Sequence, residues 1–160
     1  MSITTEAPVT RDARDLITPD DLAAVAATVQ RDTPGMAYDI AQAVILEALK
    51  FEAACAAHPA VGLAPSRVVD AGWHALILHT RVKAGVAARL GYFVHHTPEA
   101  PDPENRSMDS LLRTEDAIRA AGYIPRPEMW TAPTDGSIPV RASCQHSDDG
   151  GTIVITPKPK

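Results

Sequence analysis

Apolar residues recur at three- and four-residue spacing over four stretches, and each stretch carries helix start and stop signals. The first opens at Thr18-Pro19-Asp20-Asp21. Thr18 is an N-cap, Pro19 suits the first helical position, and the two aspartates face the positive end of the helix dipole. That helix runs through Leu22, Val25 and Val29 and stops before Pro34-Gly35. The second covers about residues 36–57 and is apolar nearly all round, which predicts a central position. The third starts at Ser66 and runs through Trp73, Leu76, Ile77 and Leu78 to Leu90, with Gly91 as its stop. The fourth covers about 107–121, with Ser107 as N-cap and Gly122 as stop.

The rest of the chain is punctuation. Residues 1–17 read as a flexible polar arm, and 99–106 as a Pro-rich loop. Residues 123–133 carry three prolines and Trp130 and predict an extended strap. The tail from 134 to 160 is loop-like apart from the β-branched run Thr152–Thr156, which could pair with the residues around Val140 as one short β-hairpin. The expected fold is mainly α: about four helices packed as a bundle in a domain over 18–133, followed by an irregular Pro-rich C-terminal segment.

Composition agrees with helices. The chain of 160 residues is 45% hydrophobic with only 4% aromatic residues, and alanine dominates the apolar set. Such a core suits closely packed helices better than a sheet. The formal net charge is -5, with no basic run and no aromatic-interleaved basic patch, so a nucleic-acid partner is not expected. No polybasic segment, signal-peptide pattern or run of ~18 apolar residues is present, which predicts a cytoplasmic protein without membrane partners. The two cysteines, Cys55 and Cys144, lie far apart and outside any C-x-x-C motif, so free thiols are expected.

The chemistry concentrates between Asp70 and His96. Four of the six histidines, His74, His79, His95 and His96, fall there. Asp70 and His74 are four apart and share a helix face. His74 and His79 are five apart, a rotation of ~140°, so they cannot bind one ion from an undistorted helix. His95 or His96 can return after the chain turns at Gly91, and being adjacent, only one of them reaches a given point. Asp70, His74 and His96, with His95 as substitute, form a candidate set for zinc or ferrous iron with positions left for water or substrate. Glu47 or Glu52 on the central helix could add a carboxylate.

Other residues offer less. Trp73 and Trp130 read as core anchors whose indole N–H groups need partners. Arg81 could bind an anion, and Cys144-Gln145-His146 is a conceivable soft ligand pair. No nucleophile elbow, phosphate loop or Ser/His/Asp order appears. Three functions stay open: a divalent-metal protein of unknown reaction, an interaction module in which the same residues form a structural hydrogen-bond network, and a metal-free acid–base enzyme using the Asp70–His74 pair. A small-molecule or protein partner cannot be named.

The segment Pro65-Ser66-x-x-Val69-Asp70-x-x-Trp73-His74-x-x-Ile77-Leu78-x-Thr80, followed by Gly91-x-Phe93-Val94-His95-His96-x-Pro98, resembles the bacterial members of the glycine-rich-domain-containing protein-like family. The likeness spans about residues 35–131. It implies that Asp70, Trp73, His74 and His96 belong to a shared motif and that His79 does not, and it brings no settled activity. The sequence departs in lacking that family's glycine- and cysteine-rich tail, of which Cys144 and Gly150-Gly151 remain, and in carrying Val82-Lys83 where an aromatic residue is expected.

Overall fold

A computed structural model describes residues 10–96 and 107–131. It is mainly helical, with α1 at Pro19–Asp32, α2 at Tyr38–Ala57, α3 at Arg67–Leu78, α4 at Thr80–Leu90 and α5 at Met108–Ala120. The expected loop at 99–106, the 134–160 tail with its hairpin and the Cys144/His146 pair lie outside the described residues. Among the described residues there is no strand, and no helix is long and apolar enough to cross a membrane.

Local chemistry sets the boundaries. Thr18 Oγ1 accepts the Asp21 N–H at 3.2 Å and its hydroxyl donates to the Asp21 carboxylate at 2.8 Å, so α1 starts at Pro19. Ser66 Oγ accepts from the Val69 N–H at 3.2 Å to start α3, and its hydroxyl also donates to the Met129 carbonyl. At the end of α5, Gly122 takes φ +94°, and the Tyr123 N–H reaches back to the Ile118 carbonyl at 3.1 Å. Gly91 closes α4 with φ +72°.

The central helix is α2, as its all-round apolarity predicts. It packs against α1, α3 and α5, and it buries Val44, Ile45, Leu49 and Phe51 completely or nearly so. Its contact with α3 is very close. A Cβ at Gly72 would sit 2.7 Å from the Val44 side chain and 2.9 Å from the Val44 carbonyl oxygen. Glycine at 72 is therefore what lets the two backbones meet.

Two expectations need correction. The single third helix over 66–90 is broken at His79, whose φ of -88° and ψ of +70° end α3 and start α4, so the described residues form five α-helices where about four were expected. His79 leaves the helical path while its ring takes a hydrogen bond with Thr28 Oγ1 on α1 at 2.8 Å. The arm expected over 1–17 is described from residue 10 onward, and there it packs on the bundle. Residues Ala13–Leu16 form a 3₁₀ turn capped by Asp12, and Ala13, Leu16 and Ile17 are buried against the bundle.

The strap behaves as an anchor. Pro127–Met129 form a short 3₁₀ turn, and Met129 and Trp130 are buried. Phe51 lies between the two tryptophans, 5.2 Å from Trp73 edge-on and 6.4 Å from Trp130, so both act as the expected core anchors.

Candidate functional site

Helix α3 presents Asp70 and His74 one above the other, as their spacing requires. His74 Nδ1 lies 2.8 Å from the Asp70 carbonyl oxygen and 3.2 Å from its carboxylate Oδ1. A carbonyl can only accept, so Nδ1 carries a proton, and whenever the ring is neutral the lone pair falls on Nε2. Both side chains are only 16% exposed.

The turn at Gly91 brings the following segment back over α3. His96 packs 4.8 Å from the His74 ring and 5.0 Å from the Trp73 ring, centroid to centroid. His95 is exposed and packs instead on Phe93 at 4.9 Å. The open choice between the adjacent histidines thus falls to His96. His79, at the junction of α3 and α4, turns its ring away from this group to Thr28 of α1, in agreement with the ~140° rotation between it and His74.

The three residues meet, but not as three ligands. Asp70 directs its carbonyl and a carboxylate oxygen at His74 Nδ1, on the opposite edge of the ring from Nε2. Asp70 therefore orients the imidazole. Among the described residues no group of three or more His, Cys, Asp or Glu side chains is arranged to hold a metal ion.

Neither glutamate of α2 joins the histidines. Glu47 is fully buried and serves the strap: Oε1 accepts from Trp130 Nε1 at 2.7 Å and from the Arg126 N–H at 2.9 Å, while Oε2 takes Lys50 Nζ at 2.8 Å. Glu52 is fully buried and paired with Lys83 of α4, itself only 4% exposed. Lys83 Nζ also lies 5.7 Å from the centre of the Trp73 ring and 5.2 Å from that of Phe93. The motif therefore rests on a buried ion pair: His96 on Trp73, and Trp73 beside Lys83 and Glu52.

Burial pushes the Glu52 carboxyl above its usual range, and Lys83 and the Trp73 indole pull it partly back. No hydrogen bond of ordinary geometry closes from Trp73 Nε1 or to Glu52 Oε2 among the described residues, so the indole's pull acts at longer range. Arg81 is exposed on α4.

Cys55, one helical turn after Glu52, shares this environment. Burial, then the Glu52 charge, push its thiol up to about 12, with Lys83 opposing. A Cys144→Ser variant, which leaves Cys55 as the only thiol, should react with Ellman's reagent at pH 8 only after unfolding. Its thiolate fraction in the native state is roughly a thousandfold below that of an ordinary thiol. Prompt native labelling would show that the Cys55 pocket is open.

Sequence reasoning missed Lys83 and the Glu52 partnership. The one hint in the sequence was Val82-Lys83, which stands where the resemblance implies an aromatic residue.

A family model described as UCP032817-like matches residues 22–121. No curated protein and no solved structure matches the chain.

Proposed function

Since this chain belongs to the UCP032817-like family, whose description carries no activity, we propose from its own residues that His74 and His96 bind one divalent transition metal, zinc or ferrous iron, with Asp70 orienting His74. The observation that carries this reading is the 2.8 Å contact of His74 Nδ1 with the Asp70 carbonyl. Metal-binding imidazoles almost always engage a carbonyl or carboxylate through the ring nitrogen that faces away from the ion, which fixes the tautomer and raises ligand basicity. His96 stands 4.8 Å away, ring to ring, within reach of the same ion. Two protein nitrogens would leave the other coordination positions to water or substrate. The likeness of the D-x-x-W-H and H-H-x-P segments to the glycine-rich-domain-containing family belongs to the same proposal, and a metal would give that motif a common purpose.

A second reading has its own support. Trp73 touches Phe51, His96 and the Lys83 ammonium. That packing pins the 91–96 segment to α3 with or without an ion, as an interaction module with a structural polar network would require.

Metal analysis of protein purified without a histidine tag separates the two. The metal reading expects close to one equivalent of zinc or iron and a lower melting temperature in chelator. His74→Ala and His96→Ala should each abolish binding, and Asp70→Asn should weaken it about 10–100-fold. Less than about a tenth of an equivalent, with melting unmoved by chelator and a large stability loss in His74→Ala, leaves the structural network instead.

A further inference from the structure

A groove of about 420 Å³ lies on a different face, between residues 10–14, α2 and the start of the strap. That is the size of a small-molecule site. Arg11 and Arg14 come from the first segment, Lys50 from α2 and Arg126 from the strap, and Asp12 is the one carboxylate in the lining. The chain carries a formal charge of -5, so four cations against one carboxylate run opposite to its overall balance. Leu46 and Ile124 add an apolar wall, and Ile124 is 65% exposed.

The cations differ in what already holds them. Lys50 Nζ is tied to Glu47 at 2.8 Å and to the Ile124 carbonyl at 2.7 Å. Arg126 Nε is 2.9 Å from Glu128, an exposed pair beside the groove. Arg14 is 3.6 Å from Asp12, and both side chains are more than half exposed. Such solvated contacts are weak and exchange readily for a better anion. Arg11 takes part in no ion pair among the described residues.

Arg11 is nevertheless fixed. Its N–H donates to the Gly122 carbonyl at 2.8 Å. Its aliphatic stem crosses Gly122 so closely that a Cβ there would meet Arg11 Cδ at 3.3 Å. The same glycine that ends α5 at φ +94° thus seats the stem of the arginine.

We propose that this groove binds a small phosphorylated organic molecule. Its phosphate would be taken by the guanidinium forks, and its apolar body would lie on Leu46 and Ile124. Arginine donors match phosphate oxygens in pairs, and several of them suit a dianion better than a single carboxylate. The groove's size and the acidic remainder of the surface disfavour a long polyanion.

Titration calorimetry of the full chain at low ionic strength, with phenyl phosphate as probe, tests this. The expected result is saturable binding that weakens with added salt and is tighter than that of inorganic phosphate. Arg11→Ala should weaken it about tenfold or more, and Arg11→Lys should lie between, because it keeps the charge and loses the fork. Arg11 is exposed, so both variants should melt as the parent chain does, which thermal denaturation checks. No saturable heat up to about 10 mM probe overturns the proposal, as does unchanged affinity in Arg11→Ala. Equal affinity for inorganic phosphate overturns the assignment of an organic ligand.

Discussion

Replacing Lys83 by methionine should destabilise the fold by about 3–5 kcal/mol, measured by urea denaturation at neutral pH. Methionine keeps the unbranched apolar stem of lysine and removes the ammonium, with its charge and its hydrogen bond to Glu52. What remains is Glu52, fully buried, with its one ionic partner among the described residues gone. Loss of the ammonium also ends the contacts with the Trp73 and Phe93 rings. The deficit should depend on pH with a definite sign. Glu52's folded pKa already lies above its unfolded value because of burial, so this group favours folding at low pH, and that contribution is lost as pH rises through the raised value. Without Lys83 the carboxyl moves higher still, and the variant regains stability relative to the parent as acid neutralises Glu52. The double variant Lys83→Met with Glu52→Gln should recover most of the loss, since no buried charge is left. A single-variant loss below about 1 kcal/mol would mean that the pair is not buried as described.

That ion pair marks the limit of what the sequence discloses. The helix starts at Thr18, Ser66 and Ser107 are readable because a cap is a local device: one side-chain oxygen meets an N–H three residues on. The central place of α2 is readable because a helix apolar on every side has nowhere else to go. The Asp70–His74 contact is readable because four residues is a helical turn. Lys83 is different. On an unbroken helix it stands nine residues after His74, ~180° round the axis, and would face away from the site. The break at His79 re-aims α4, and that break involves Thr28 on another helix, fifty-one residues earlier in the chain. Long-range contacts of this kind leave no period in the sequence. The same holds for residues 10–17, which look polar and loose until Ala13, Leu16 and Ile17 find the bundle.

The two buried glutamates of α2 show how one residue type can serve opposite ends. Both are candidates for the histidine site when only spacing is known, being five apart on one apolar helix. Five residues turn ~140° about the axis, so a shared partner was never geometrically open to them. Glu52 points to α4, and Glu47 points to the strap. Neither reaches His74, and the metal proposal accordingly rests on imidazole nitrogen alone.

Glu47→Ala should cost a comparable ~3–5 kcal/mol, by a route that spares the histidines. The carboxylate is the acceptor for Trp130 Nε1 at 2.7 Å and for the Arg126 N–H at 2.9 Å, and the counter-charge of Lys50 at 2.8 Å. Its removal leaves a buried indole donor and a backbone donor without an acceptor, strips the Lys50 ammonium of its counter-charge while the Ile124 carbonyl still holds it, and opens a cavity in α2. Glu47→Gln separates these terms. The amide oxygen can still accept from the indole and the backbone, while the amide nitrogen cannot accept from Lys50, so a smaller loss of ~1–3 kcal/mol is expected. Hydrogen exchange locates the damage. In Glu47→Ala the Arg126 and Trp130 amides should exchange faster than in the parent chain, while the α2–α3 core around Gly72 stays protected. The strap carries Arg126 and Ile124 into the cationic groove, so the same variant should also loosen phenyl phosphate binding while leaving metal content unchanged. If the strap amides keep their protection when Glu47 is gone, the carboxylate is not what fastens the strap, and its burial in α2 must answer to a different partner.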